Sequence, residues 1–142
     1  MDLTNIAAVA GKPGLYRVIK PTRTGVILES IDDKRTRFAV GMNSRVSVLK
    51  EVAIYAYNAE GSVPLADVFR SMYQWQGEVP SPNASAQELT TFLAEILPDF
   101  DRDKVYPSDI KKIITWFNIL AKYEPQLFSS EDKNQPTESF DK

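Results

Sequence analysis

The side chains of this sequence that could carry chemistry are carboxylates, lysines, arginines and aromatic rings, because its 142 residues include neither histidine nor cysteine. Zinc, copper and haem sites normally rest on imidazole or thiolate ligands, and catalytic triads on an imidazole base, so those classes fall away together. Disulfides are excluded as well, which fits a reducing compartment. The densest acidic run is Asp99, Asp101 and Asp103. A calcium loop of the EF-hand kind needs glycine at its sixth place and glutamate at its twelfth. Counted from Asp99, those places hold Lys104 and Ile110. An inter-helix loop whose acids cap the next turn accounts for the run better. Two carboxylates alone can hydrolyse glycosides, but no second pair stands out and nothing nucleophilic accompanies these three. No catalytic, cofactor-binding or metal-ligating residue is assigned, no cofactor is expected, and the chain is read as not an enzyme.

Gly11-Lys12-Pro13-Gly14 resembles a phosphate loop only superficially. The Walker A pattern ends Gly-Lys-Ser/Thr and opens a helix, whereas a β-type segment follows here, so the glycines are read as serving a turn.

Two clusters remain as binding candidates. Arg35 and Arg37, with Lys34 in the preceding turn, are expected to project from one face of a predicted strand, where a basic patch beside Tyr16 or Tyr55 could hold a nucleic-acid backbone while a ring stacks on a base. The bland alternative is a solubilising hairpin face. Trp116, Ile119 and Tyr123 flank the apolar face of the last predicted helix and are the candidate protein interface. Met72, Tyr73 and Trp75, at the end of an earlier helix, could likewise anchor a partner or pack the core.

The elements that must position these residues differ between the two halves. Asp2 or Thr4 could cap a short helix over Leu3 to Ala10. Leu15 to Ile19, Gly25 to Ile31, Thr36 to Val40, Arg45 to Leu49 and Glu51 to Tyr57 are short runs rich in Val, Ile, Phe and Tyr between turn residues, and read as strands. Five strands so closely spaced point to a small SH3-like bent β-barrel. The period changes near Gly61. Leu65, Val68, Phe69 and Met72 follow at helical spacing behind Pro64. Ser85 and Glu88 form a capping box before Leu89, Phe92, Leu93 and Ile96. A last helix from about Ser108 to Tyr123 carries Ile110, Ile113, Ile114, Phe117 and Leu120, apolar around so much of its girth that it must be packed on more than one side. The fold class is therefore α+β: residues 1–60 a barrel subdomain with a short N-terminal helix, 61–128 a three-helix subdomain, and 129–142 a disordered tail rich in Ser, Glu, Asp and Lys.

Charge follows the same division. Residues 1–60 hold nine basic and six acidic residues, and 61–142 eight basic and thirteen acidic, so a net charge of −2 conceals +3 and −5. The opening Met1-Asp2-Leu3-Thr4-Asn5 lacks the basic start of a signal peptide, and no stretch approaches a membrane span. A cytoplasmic protein without membrane contact is expected.

Two separated strings carry a family resemblance. The residues Gly11 to Tyr16 with Ile27-Leu28-Glu29-Ser30-Ile31-Asp32-Asp33, and later Val105 to Leu120 (VYPSDIKKIITWFNIL), resemble the family named domain of unknown function 5606, small proteins found mainly in Bacteroidetes. The likeness spans roughly residues 1–124. It implies a bacterial cytoplasmic protein with a small barrel and a helical part, and it brings no activity and no site residues. From the residues, the expected function is a non-enzymatic protein interaction or dimerisation module, with an unknown protein or a second copy as partner. RNA or ribonucleoprotein binding through the basic face is the alternative.

Overall fold

The computed structural model describes residues 1–128; the expected disordered tail, 129–142, lies outside the described residues. The chain forms two compact units. Among the described residues, the first combines 1–50 with 119–128, and the second is Glu51–Asn118.

In the first unit, β1 (Ile6–Val9), β2 (Tyr16–Pro21), β3 (Gly25–Ser30), β4 (Arg37–Gly41) and β5 (Val46–Val48) make one antiparallel sheet in the order β4-β3-β2-β1-β5. The edge strands β4 and β5 do not pair with each other, so the sheet stays open. This corrects the expected SH3-like barrel. Strand number and spacing are alike in a closed and an open sheet; closure depends on whether the outer strands meet. The fifth predicted strand also leaves this sheet, since a 3-10 turn at Leu49–Glu51 breaks the run and sends the following residues elsewhere.

The expected N-terminal helix is strand β1. Its Ile6 and Ala7 lie opposite Arg17 and Tyr16, while Ala7, Ala8 and Val9 lie opposite β5. Burial of Ile6, Ala7 and Val9 between two neighbours outweighs the weak helix preference of a short Ala-containing run.

Residues facing one another across the ladders share a side of the sheet. On one side, Val9, Tyr16, Leu28 and Val40 form a buried cluster, with Val18, Val26, Phe38 and Val46 packed on it. Tyr16 meets the edge of Phe38 two strands away, at 5.4 Å between ring centroids, as a strongly curled sheet allows. The register slips between Val18 and Lys20, a bulge that increases the local twist. Gly25 is required at the β3–β4 contact, because a Cβ there would lie 1.8 Å from the Val40 carbonyl oxygen.

In the second unit, β6 (Ala53–Tyr55) pairs with β7 (Ser62–Pro64) as a small antiparallel hairpin. The helices α1 (Leu65–Gln74), α2 (Ala86–Ile96) and α3 (Pro107–Tyr123) follow, the end of α3 belonging to the first unit. The three helices expected after Gly61 are present, but the expected layout of barrel plus a three-helix subdomain needs a second correction. The described residues also include the 3-10 turn Leu49–Glu51 and a helical stretch at 126–128. The Ser85 capping box is formed: Glu88 N–H donates to the Ser85 hydroxyl and Ser85 N–H to the Glu88 carboxylate, both at 3.1 Å. Ile110, Ile113, Ile114, Phe117 and Leu120 are all buried along α3. No helix among the described residues is long and apolar enough to cross a membrane.

Candidate functional site

The first unit places three of its arginines around one carboxylate. Ile6, Arg17, Glu29 and Arg37 stand opposite one another across β1, β2, β3 and β4. Arg37 Nε donates to Glu29 Oε2 at 3.0 Å, with Arg17 Nε at 3.9 Å and an Arg35 guanidinium nitrogen at 4.0 Å from Oε1. Arg17 also donates to Glu124. Arg35 is not on the strand with Arg37. It sits in the preceding turn at φ 48, in the left-handed region. The Asp32 carboxylate holds that turn by accepting the Ser30 hydroxyl at 2.8 Å and the Lys34 and Arg35 N–H groups at 3.0 Å. The Ser30 hydroxyl, then the Arg35 amide, pull the Asp32 carboxyl below its ordinary pKa. Lys34, Arg35 and Arg37 are thus exposed neighbours, with two of the three committed to Glu29.

The second unit has a groove of about 210 Å³ between the edge of β6 and the first half of α3. Its walls include Ala53, Tyr55, Lys104, Lys112, Ile113 and Trp116. Leu65 N–H donates to the Val52 carbonyl and Ala56 N–H to the Gly61 carbonyl, so the even-numbered residues of this strand face β7. Ala53 and Tyr55 therefore turn their backbone groups the other way. On that far edge Asp101 N–H donates to the Tyr55 carbonyl at 2.9 Å, and Tyr57 N–H donates to the Asp99 carbonyl at 2.8 Å. Residues 99–101 thereby act as the beginning of a third strand, bridged at Ala56 and Phe100.

The chain then turns away. Asp101 carbonyl accepts Lys104 N–H and Val105 N–H, and its carboxylate accepts Asp103 N–H at 2.9 Å. Ala53 N–H, Ala53 C=O and Tyr55 N–H are left with no backbone partner among the described residues. Above them Tyr55 is 53% exposed, with the Lys104 ammonium 5.1 Å from its ring centre. The nearby Tyr57 hydroxyl donates to Asp101 at 3.0 Å, which raises its pKa. The groove's one carboxylate, Asp109, accepts Tyr106 N–H at the start of α3.

Of the residues singled out as a protein interface, Trp116 lines this groove, half-buried, while Ile119 and Tyr123 are half-buried further along α3 and do not line it. Tyr55, singled out as a stacking ring for the basic face, belongs to the second unit and lines this groove instead, and the alternative ring, Tyr16, is buried. Lys104 had no sequence signal, since its place depends on which edge of β6 is paired. Met72 is buried, Tyr73 is exposed, and Trp75 packs edge-on against Phe92 at 5.2 Å. Gly77 makes room for that ring, as a Cβ there would come within 2.4 Å of it.

An open curled sheet carrying an arginine–carboxylate row, joined to a hairpin-and-helix unit with an edge groove, defines a small two-unit α+β protein. Residues 3–49 match the family model described as domain of unknown function (DUF5606), and residues 52–120 match a second, domain of unknown function (DUF6852). The gap between the two matches falls at the 3-10 turn that parts the units. The chain belongs to the DUF5606 family. It is similar to a solution NMR structure of a protein from Bacteroides vulgatus, with 38% identity, a TM-score of 0.68, and coverage of 86% of this chain and 87% of that one. No curated protein matches it.

Proposed function

We propose that this is a non-enzymatic cytoplasmic interaction protein that captures a partner protein on the groove of its second unit. The observation that carries the reading is the unfinished edge of β6. Three outward backbone groups border an apolar groove with an exposed tyrosine and a half-buried tryptophan. Exposed strand edges recruit further strands, and Tyr and Trp are enriched among the residues that dominate binding energy. Binding is favoured over catalysis because the single carboxylate of the groove is occupied in capping α3.

The test is a photoreactive amino acid at Tyr55, with the same group at exposed Gln87 as control. A discrete protein adduct from position 55 and not from 87, lost in Ala53→Pro, is expected. Proline at 53 removes an N–H that points away from β7, so no hydrogen bond between β6 and β7 is lost, and its φ and the restriction on Val52 suit an extended strand. Identical adducts from both positions, or none, would contradict the reading. An adduct with the mass of a second copy would make the capture a dimerisation.

A second reading has one observation behind it. The described residues of the first unit, 1–50 and 119–128, hold ten basic and five acidic residues, whereas 51–118 hold five and ten. A net +5 could attract RNA. The Glu29 contacts of Arg35 and Arg37 weigh against it, since those guanidiniums would have to leave a carboxylate to take a phosphate. Measurable RNA affinity at low salt, lowered in Arg35→Ala/Arg37→Ala, would favour this reading.

A further inference from the structure

The β6 edge has a direction as well as free groups. The contacts of Tyr55 and Tyr57 with residues 99–101 are antiparallel. Continuing that ladder toward Ala53 gives a strand position that the chain begins and abandons at Asp101. Asp101 already stands opposite Tyr55, so an extended segment placed beyond it antiparallel to β6 would exchange both hydrogen bonds with Ala53, accepting from its N–H and donating to its C=O. Side chains of an added strand alternate between its two faces. One set would therefore be carried toward Ile113 and Trp116 at the groove wall, where about 210 Å³ suits one or two apolar side chains rather than a folded surface.

The charge of the groove selects the sign of the occupant. Lys104 and Lys112 both line it, and neither is in an ion pair among the described residues. Asp109 is the one carboxylate lining the groove, and it is tied to Tyr106 N–H, while Asp101 beside the groove lies close enough to Lys104 to interact with it electrostatically. The surrounding unit is acidic, with five basic against ten acidic residues over 51–118. A locally basic groove in an acidic unit is therefore a feature of the site and not of the surface as a whole. Resting on the reading above that the groove captures a partner, we infer that its occupant is an extended acidic peptide segment, added antiparallel to β6 with an apolar side chain against Ile113 and Trp116 and carboxylates beside Lys104 and Lys112.

The experiment is selection of randomised linear peptides on the full chain, followed by affinity measurement against the wild type and three variants. Enriched peptides should carry Asp or Glu next to an apolar residue. Their affinity should fall on the order of tenfold or more in Lys112→Glu and in Ala53→Pro, and weaken as salt rises. Trp116→Ala should weaken them independently of salt. Thermal unfolding of each variant checks that the fold is kept, and Lys112, exposed on α3, is a position where it should be. Neutral or basic peptides that still need Ala53 N–H and Trp116 would overturn the acidic occupant and leave the groove reading standing. Acidic peptides indifferent to Ala53→Pro would overturn strand addition. No enrichment at all, together with a silent crosslinker at Tyr55, would remove both the inference and the reading beneath it.

Discussion

Arg17 on β2 donates a guanidinium hydrogen bond to Glu124, which lies 107 positions further along the chain and is 3% exposed. The second oxygen of that carboxylate accepts Gln126 Nε2 at 2.6 Å. A buried carboxylate is tolerated when both its oxygens are answered. Arg17 therefore ties the segment after α3 to the sheet, and it also belongs to the row through Glu29 and Arg37.

Arg17→Ala should be among the more damaging substitutions in the first unit, because it strands the Glu124 charge. Breaking a buried pair costs about 3–5 kcal/mol. With the Arg17 side chain 31% exposed, water offsets part of this, and about 2–3 kcal/mol is expected. Glu124→Gln should cost less, since its amide oxygen still accepts from Arg17. Urea unfolding of both single variants and the double variant measures the coupling; single losses that simply add in the double variant would contradict it.

Gly25 and Gly41 lie opposite each other at the β3–β4 junction and should respond differently to alanine. A Cβ on Gly25 would collide with the Val40 backbone, whereas on Gly41 the nearest atom, the Thr24 carbonyl oxygen, is 4.0 Å away. Gly25→Ala is expected to lose about 3 kcal/mol or more. Gly41→Ala should stay within about 1 kcal/mol. Chemical denaturation midpoints decide between these and a uniform effect.

The Asp32 turn should give a pH-dependent contribution to stability. Its carboxyl is lowered first by the Ser30 hydroxyl and next by the Arg35 amide. A folded-state pKa below the unfolded one means the contribution is fully present above the ordinary aspartate range and is lost as pH falls through the folded value. Asp32→Asn should therefore be less stable than wild type at neutral pH, and the gap in melting temperature should close in acid below the usual aspartate pKa. A gap that widens in acid would reverse the assigned sign.

Ser85→Ala removes one half of the α2 capping box. A loss of about 1 kcal/mol is expected, with faster amide exchange in the first turn of α2, Ala86 to Leu89, and little change in α1. Unchanged exchange at Glu88 would show that its N–H finds another acceptor.

The local signals in the sequence translated directly. Ser85 and Glu88 announced α2, and the spacing of Ile110, Ile113, Phe117 and Leu120 announced α3, because caps and periodicity act over a few residues. The runs around Val18, Leu28, Phe38 and Val46 are strands as their composition indicated. Features depending on distant partners were not legible. The segment Ile6–Val9 is a strand only because β2 and β5 lie on either side of it, and β7 at Ser62–Pro64 is too short to show a pattern. The open sheet hinges on the 3-10 turn at Leu49–Glu51, which diverts the fifth run to pair with β7. Trp116, which lines the groove, could be singled out by its type, but Ala53 matters only through the direction of its backbone groups, which no side chain encodes.

Residue-resolved amide exchange, with and without a peptide selected on the full chain, tests the groove most directly. Bound peptide should slow exchange at Ala53, whose N–H points off the β6 edge beyond the Asp101 pairing, while Ile54, already laddered to Val63, changes little. Tight binding that leaves Ala53 exchanging at its free rate would place the partner elsewhere and contradict strand addition at β6.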